Sequence, residues 1–485
     1  MEIRVPVPVH LGMVLEGLAR NPALPPALLR RLLARPSAAR DEALMWRTDL
    51  TEELAGEIIA LGDATLTHSL ACNRDIPAEV KRTLAAAPDP AVRSALAAHE
   101  EGMPPELFGR FVSDPAPEVR EEAAMNDGTP DDLRARLAHD PHPKVRAALG
   151  QFWTDAPEAV RRSLLTDPDP TVRAAACATY FRGGPPPAPP ADLHPALLAD
   201  PVTRAGVVRH LTLDAGTARR LAADESEEVR AAVAGHPALP AGLRDALGRD
   251  EDALVRAEVF YRQDTPDALR AEIHENLEAG AGRAKDTPWD ATDDDGFCYM
   301  AVLDMRHRHV VWPSRNPLDH AGSPYACFRR SVATAGSLPP EIVARLLDDE
   351  DHRVRATMAA RIPDLDPAVA ERLERTHIHD LKHPGGPAEH VTFPPATLRR
   401  FATDPESGMR ALAPRDPDLP AELAGQLAAD ADPSVRRAVA AHRNLPAPAR
   451  LALLADEDGL TARAAARSPF LPVDAMEELL ARAGL

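Results

Sequence analysis

The chain has 485 residues, of which 44% are hydrophobic but only 4% aromatic, and 75 acidic residues against 56 basic ones give a formal charge of −19. That length exceeds what one compact core can organise, so several domains or a repeat array are required. The acidic balance disfavours broad attraction to nucleic acid or anionic membrane, and no apolar stretch reaches the length of a membrane span.

The four cysteines, Cys72, Cys177, Cys298 and Cys327, lie far apart in no metal-ligand spacing, which suits a reducing compartment. The opening residues Met1 to Pro8 are broken by charge and proline and make a poor signal peptide, so a cytoplasmic location is expected. Fifty prolines would point to disorder if they were scattered. Here they recur at regular intervals between apolar helical segments and act as punctuation.

The first clear units are Ile76-Pro77…Val80…Leu84…Asp89-Pro90…Val92-Arg93, then Met103-Pro104…Leu107…Phe111…Asp114-Pro115…Val119-Arg120. Thr129-Pro130…Leu133…Leu137…Asp140-Pro141…Val145-Arg146 follows, and the pattern returns at Leu419-Pro420…Leu423…Leu427…Asp432-Pro433…Val435-Arg436. In all four the arginine stands sixteen residues after the opening proline. Proline has no N–H to donate and a preset φ, so each Leu-Pro predicts a helix at its first turn. Apolar residues four apart give that helix one buried stripe. The Asp-Pro pair stops it and caps a second helix carrying Val-Arg and small residues. Neither helix can bury its stripe alone, so each unit must stack on its neighbours.

The same register runs through Arg40, Thr67, Arg93, Arg120, Arg146, Arg173, Arg204, Arg230 and Arg256, and resumes at Arg329, Arg355, Arg410, Arg436 and Arg463. This predicts N-terminal repeats over 1–182, a stiff Pro/Gly-rich inserted loop at 183–192 and central repeats over 193–275. The interval from Arg256 to Arg329 then places a non-repeat insertion at 276–322. C-terminal repeats occupy 323–485, interrupted by a His-rich loop at 376–392, where Thr376 to His383 stands in the second helix's place and Pro384-Gly-Gly-Pro387 follows. The last unit, opening at Leu471-Pro472, lacks a second helix and reads as a C-terminal cap.

On these Leu-Pro-x-x-Leu and Asp-x-x-Val-Arg elements the sequence resembles the variant leucine-rich repeat family, close in design to HEAT-type repeats. The resemblance covers roughly residues 11–275 and 323–485. It implies an all-α, right-handed α-solenoid of 26–27-residue two-helix repeats, α/α or α/3₁₀, with one inserted irregular segment, and it implies a binding role. One type in that family carries a cysteine-bound iron–sulfur cluster. This chain has no such cysteine cluster, so no cofactor is expected.

The recurring charges form the first candidate set. Asp89, Arg93, Asp114, Arg120, Asp140, Arg146, Arg173, Arg230 and Arg436 are expected to build an internal ladder, each arginine pairing with an aspartate of the same or a neighbouring turn. Unpaired and aligned, the same arginines would instead make a phosphate track. The insertion concentrates scarce aromatics, and Trp289, Phe297, Tyr299, Trp312 and Tyr325 are the candidate partner-binding residues. Its stretch Phe297 to Leu303 fits a strand or a short buried helix. Histidines cluster around both breaks of the register. His307 and His309, and His377 and His379, form two His-x-His pairs, weak metal candidates without a cysteine or His-Glu-x-x-His signature.

The function expected is a cytoplasmic repeat scaffold for protein–protein interaction, with a protein partner, no nucleic acid or membrane, and no intrinsic catalysis. Two alternatives stand beside it. One is a nucleic-acid-binding HEAT-like protein of the DNA-repair glycosylase type. The other is a metal-dependent enzyme built on the 276–322 insertion and the 376–392 loop.

Overall fold

The computed structural model describes residues 5–35, 37–177, 187–284, 294–378 and 386–485. Among them every regular element is an α or 3₁₀ helix and there is no strand. The unit at Ile76 shows why. Pro77, with φ −56° and ψ 149°, stands at the N-cap of helix Ala78–Leu84. That is one position before the first turn, where a missing N–H costs nothing and the Pro77 carbonyl accepts from the Lys81 amide at 3.1 Å. The Asp89 carboxylate then accepts from the Ala91 amide at 2.9 Å, capping helix Pro90–Ala97.

Other units shorten the first helix. Asp131–Arg134 runs on as the 3₁₀ turn Ala135–His139, and Ala447–Ala452 as Leu453–Ala455. The α/3₁₀ variant expected from the resemblance therefore occurs in some units and not in others.

The chain forms two compact units, Pro105–Met358 and Met1–Pro104 with Ala359–Leu485. In Pro105–Met358 the second helices of successive repeats stack side by side: Pro117–Met125, Pro143–Phe152, Pro170–Cys177, Pro201–Val208, Glu227–Ala234 and Ala253–Phe260. Their Val and Leu side chains are the core. Val119, Val145, Leu149, Val172 and Val233 are fully buried, each worth about 2 kcal/mol of transfer free energy. Small residues set the spacing. A Cβ on Gly150 would lie 3.1 Å from the Ala176 nitrogen, and one on Gly206 would collide with the Cys177 carbonyl.

Most of the described part of the 276–322 segment is helical. Helix Asp267–Ala281 continues past the predicted boundary at 275. Asp294–His307, which includes the Phe297–Leu303 stretch, is an α-helix packed along Asp267–Ala281 and Ala253–Phe260. Short helices Val311–Arg315 and Pro317–His320 then pack on Ala326–Ala333. The arginine register does not mark these helices because Asp294–His307 carries no Val-Arg element.

In the other unit, Ala38–Trp46, Ala64–Ala71 and Pro90–Ala97 stack in turn, as do Ser407–Arg410, Pro433–Val439 and Gly459–Arg467. Of the 376–392 loop, residues 386–390 hold the 3₁₀ turn Pro387–His390 against helix Pro367–Arg375. The buried Glu374 carboxylate accepts from the Ala388 amide at 2.9 Å, and any side chain at Gly386 would strike it. Helix Leu11–Ala19 lies between Gly459–Arg467 and Ala38–Trp46, and helix Pro26–Leu33 packs on Val473–Arg482.

A second set of polar groups joins successive repeats just after each second helix. Asn73 donates to the Leu44 and Arg47 carbonyls at 2.7 and 2.8 Å. His236 bonds the Leu211 carbonyl at 3.0 Å and His442 the Asp416 carbonyl at 2.9 Å. These groups satisfy helix-terminal carbonyls that would otherwise be buried unpaired.

Candidate functional site

The arginines at the repeat interval share one geometry. Arg120 Nη1 donates back to the Asp114 carbonyl at 2.7 Å, while its Nε and Nη2 donate to the Asp140 carboxylate at 2.6 and 2.9 Å. Arg146 takes the Asp140 carbonyl and the Asp167 carboxylate in the same way. Arg173 takes the Asp167 carbonyl and Asp200. Each guanidinium thus closes its own interhelix loop and holds the carboxylate of the next repeat, the forked geometry arginine is shaped for.

Arg230 with Asp250, Arg329 with Asp349, Arg410 with Asp430 and Arg436 with Asp456 repeat the bidentate pairing. Arg93 donates to the Ala87 and Pro88 carbonyls at 2.8 and 3.0 Å. The carboxylates also brace the turn before the second helix. Asp114 accepts from the Ala116 amide and Asp140 from the His142 amide, both at 2.9 Å. Hydrogen bonds from Arg410 hold the Asp430 carboxyl below the usual carboxylate range. Burial opposes ionisation of Asp140, yet Arg120 and the His142 amide hold it low as well.

The rung at Arg256 differs. Its Nη2 reaches Asp294 at 3.1 Å and Cys298 Sγ at 3.3 Å, so helix Asp294–His307 supplies the carboxylate. Sequence spacing could not find Asp294, which lies 38 residues away where other rungs span 20 to 27.

The aromatic candidates fall on one core cluster. Phe260 and Phe328 stack with centroids 5.3 Å apart, and Tyr325 meets Phe260 edge-on at 5.0 Å. Trp312 packs on Phe328 at 5.0 Å and donates its Nε1–H to the Tyr261 carbonyl at 2.7 Å. Arg270 lies over both the Trp312 and Phe328 rings. Tyr261 donates to Asp304 at 3.0 Å beneath Arg308, which is itself paired with Glu258 at 2.6 and 3.0 Å.

Phe297, Trp312 and Tyr325 are half-buried against this core, and Tyr299 is half-buried on the same helix as Phe297. Trp289 lies outside the described residues. At the cluster's rim the sequence reading overlooked Val311, 53% exposed, and Leu318, 66% exposed. Both lie within the helix pair that carries Trp312, and that closeness in sequence was the available signal.

His307 ends helix Asp294–His307, and the His309 ring shares a hydrogen bond with the Thr334 hydroxyl at 2.6 Å. The His377 amide donates to the Glu374 carbonyl. His379 lies outside the described residues, so the second His-x-His pair is not assembled on them. Among the described residues no three His, Cys, Asp or Glu side chains gather as a metal site. Burial pushes the Cys177 thiol up to about 12 and the Cys327 thiol up to about 11, which leaves both protonated near neutrality.

Comparison with known proteins gives a family match over one repeat. Residues 227–252 match the leucine rich repeat variant family. They hold helices Glu227–Ala234 and Ala241–Leu247 and one whole rung, Arg230 with Asp250. No curated protein matches the chain. Twenty-one chains of solved structures match, among them one titled "Crystal structure of Kap121p bound to Pho4p", at 12% identity and a TM-score of 0.23. That alignment covers 98% of this chain and 54% of the other, so this chain spans about half its length. No helix among the described residues is long and apolar enough to cross a membrane.

Proposed function

We propose that the chain is a cytoplasmic scaffold of leucine-rich-variant repeats that binds a protein partner and performs no chemistry itself. The observation that carries the reading is the rim formed by helices Val311–Arg315 and Pro317–His320. There Val311 and Leu318 stand exposed beside half-buried Trp312 and Tyr325, on a base of packed aromatic rings. Rigid aromatic anchors with apolar neighbours are what protein interfaces use for affinity. The occupied forks of Arg120, Arg146 and Arg173 speak against a phosphate track, since each already holds a carboxylate and a carbonyl.

The test is affinity capture from native cytoplasm with the wild-type chain and a Val311→Asp, Leu318→Asp double variant of unchanged circular dichroism. Loss of the specifically captured proteins from the variant supports the reading. An identical captured set removes this rim from the interaction.

A further inference from the structure

Helix Val473–Arg482 opens at Leu471-Pro472 as the first helix of a repeat does. Helix Leu11–Ala19 precedes the proline-opened pair Pro26–Leu33 and Ala38–Trp46 and packs as a second helix does, against Gly459–Arg467 on one side and Ala38–Trp46 on the other. We infer that these two helices together make one closing repeat, with the first helix drawn from the end of the chain and the second from its beginning.

The polar contacts between repeats carry this. Inside the array, Arg47 Nη1 reaches back to the Ala19 and Asn21 carbonyls at 3.0 and 2.9 Å, and Asn73 reaches back to Leu44 and Arg47. Asn21 makes the same reach, but its predecessors are Ala466 and Ser468, whose carbonyls it meets at 2.9 and 2.8 Å. Its own Oδ1 accepts from the Ala23 amide as Asn73 Oδ1 accepts from Asp75. The first repeat therefore treats the last as the unit before it.

The charges and the packing follow the same order. Arg463, the last arginine of the repeat register, pairs with Glu42 at 3.0 Å and Glu16 at 3.5 Å. Gly17 faces the Arg463 carbonyl so closely that a Cβ would collide with it, as at Gly206 against Cys177. Both are second-helix glycines that admit the backbone of the preceding second helix. Arg482 donates to the Pro6 carbonyl at 2.9 Å and the Val5 carbonyl at 2.6 Å, and Arg31 donates to the Leu485 carbonyl at 2.8 Å. Val14, Leu18, Met476, Leu479 and Leu480 are fully buried. The edges of the terminal repeats are consequently filled by each other.

The test uses the full chain and hydrogen exchange read by segment. Gly17→Leu and, separately, Asn21→Ala are expected to speed exchange at least tenfold in both Leu11–Ala19 and Gly459–Arg467, while Glu227–Ala234 stays protected. A circular permutant, with a Gly/Ser linker of about ten residues joining Leu485 to Val5 and the backbone opened between exposed Glu100 and Glu101, is expected to fold and to keep both helices as slow as in the parent. Exchange in Gly459–Arg467 that ignores Gly17→Leu and Asn21→Ala overturns the shared repeat. So does a folded permutant in which the two helices exchange freely. If the permutant does not fold, the two point variants decide alone.

Discussion

Arg230 and Asp250 are each about nine-tenths buried, and their forked pair is reinforced by the bond from Arg230 to the Asp224 carbonyl. Removing one member leaves the other charge buried and unmatched, which costs more than the pair itself is worth. Arg230→Ala is expected to lower the free energy of unfolding by about 3 kcal/mol in urea titration. Arg230→Lys should recover only part of this, since an ammonium cannot hold a carboxylate and a loop carbonyl in one plane. His99 carries the clearest acid sensitivity. Burial, with Lys81 and Arg74 nearby, lowers its pKa to about 4 from an ordinary 6.5. The folded state therefore resists protonation that the unfolded chain accepts. That contribution is whole above pH 6.5 and is lost as pH falls towards 4. Stability should drop by about 2 kcal/mol between pH 7 and pH 5, and His99→Asn should flatten the drop. Asparagine already fills the matching position at Asn21 and Asn73 with no titration.

At the scale of the helix, spacing between neighbours is set by what small residues allow. Gly206→Val is expected to force apart Pro201–Val208 and Pro170–Cys177, lowering the melting midpoint by several degrees in calorimetry. Gly242, whose Cβ would meet nothing, should tolerate alanine. The helix pairs were legible because proline and capping aspartate are chemical requirements at fixed positions, visible at Pro77, Asp89 and Arg93 alike. The rung partners were less so. Every interhelix loop offers Asp140-like residues both near and one repeat away, so spacing cannot choose between them. Geometry sends the Asp140 carboxylate to Arg120 and leaves Arg146 the Asp140 carbonyl. For helix Asp294–His307 the sequence left a strand or a short buried helix open over Phe297 to Leu303, because the helix keeps the stacking but not the Val-Arg element that marks the repeats.

Within each compact unit the second helices stack on those of adjacent repeats, the contact between Asn21 and Ala466 included. The periodicity announced this stacking. It did not announce that Leu11–Ala19 packs on Gly459–Arg467, because spacing within a repeat carries no sign of a neighbour so distant in the chain. Stability in such an array is a sum of nearest-neighbour terms, so damage at one rung should stay local. The most direct measurement is native-state hydrogen exchange of Asp250→Asn, compared with wild type segment by segment. Faster exchange confined to Glu227–Ala234, Ala241–Leu247 and Ala253–Phe260, with Pro117–Met125 and Pro143–Phe152 unaltered, is the predicted result. An equal loss of protection throughout Pro105–Met358 would contradict it.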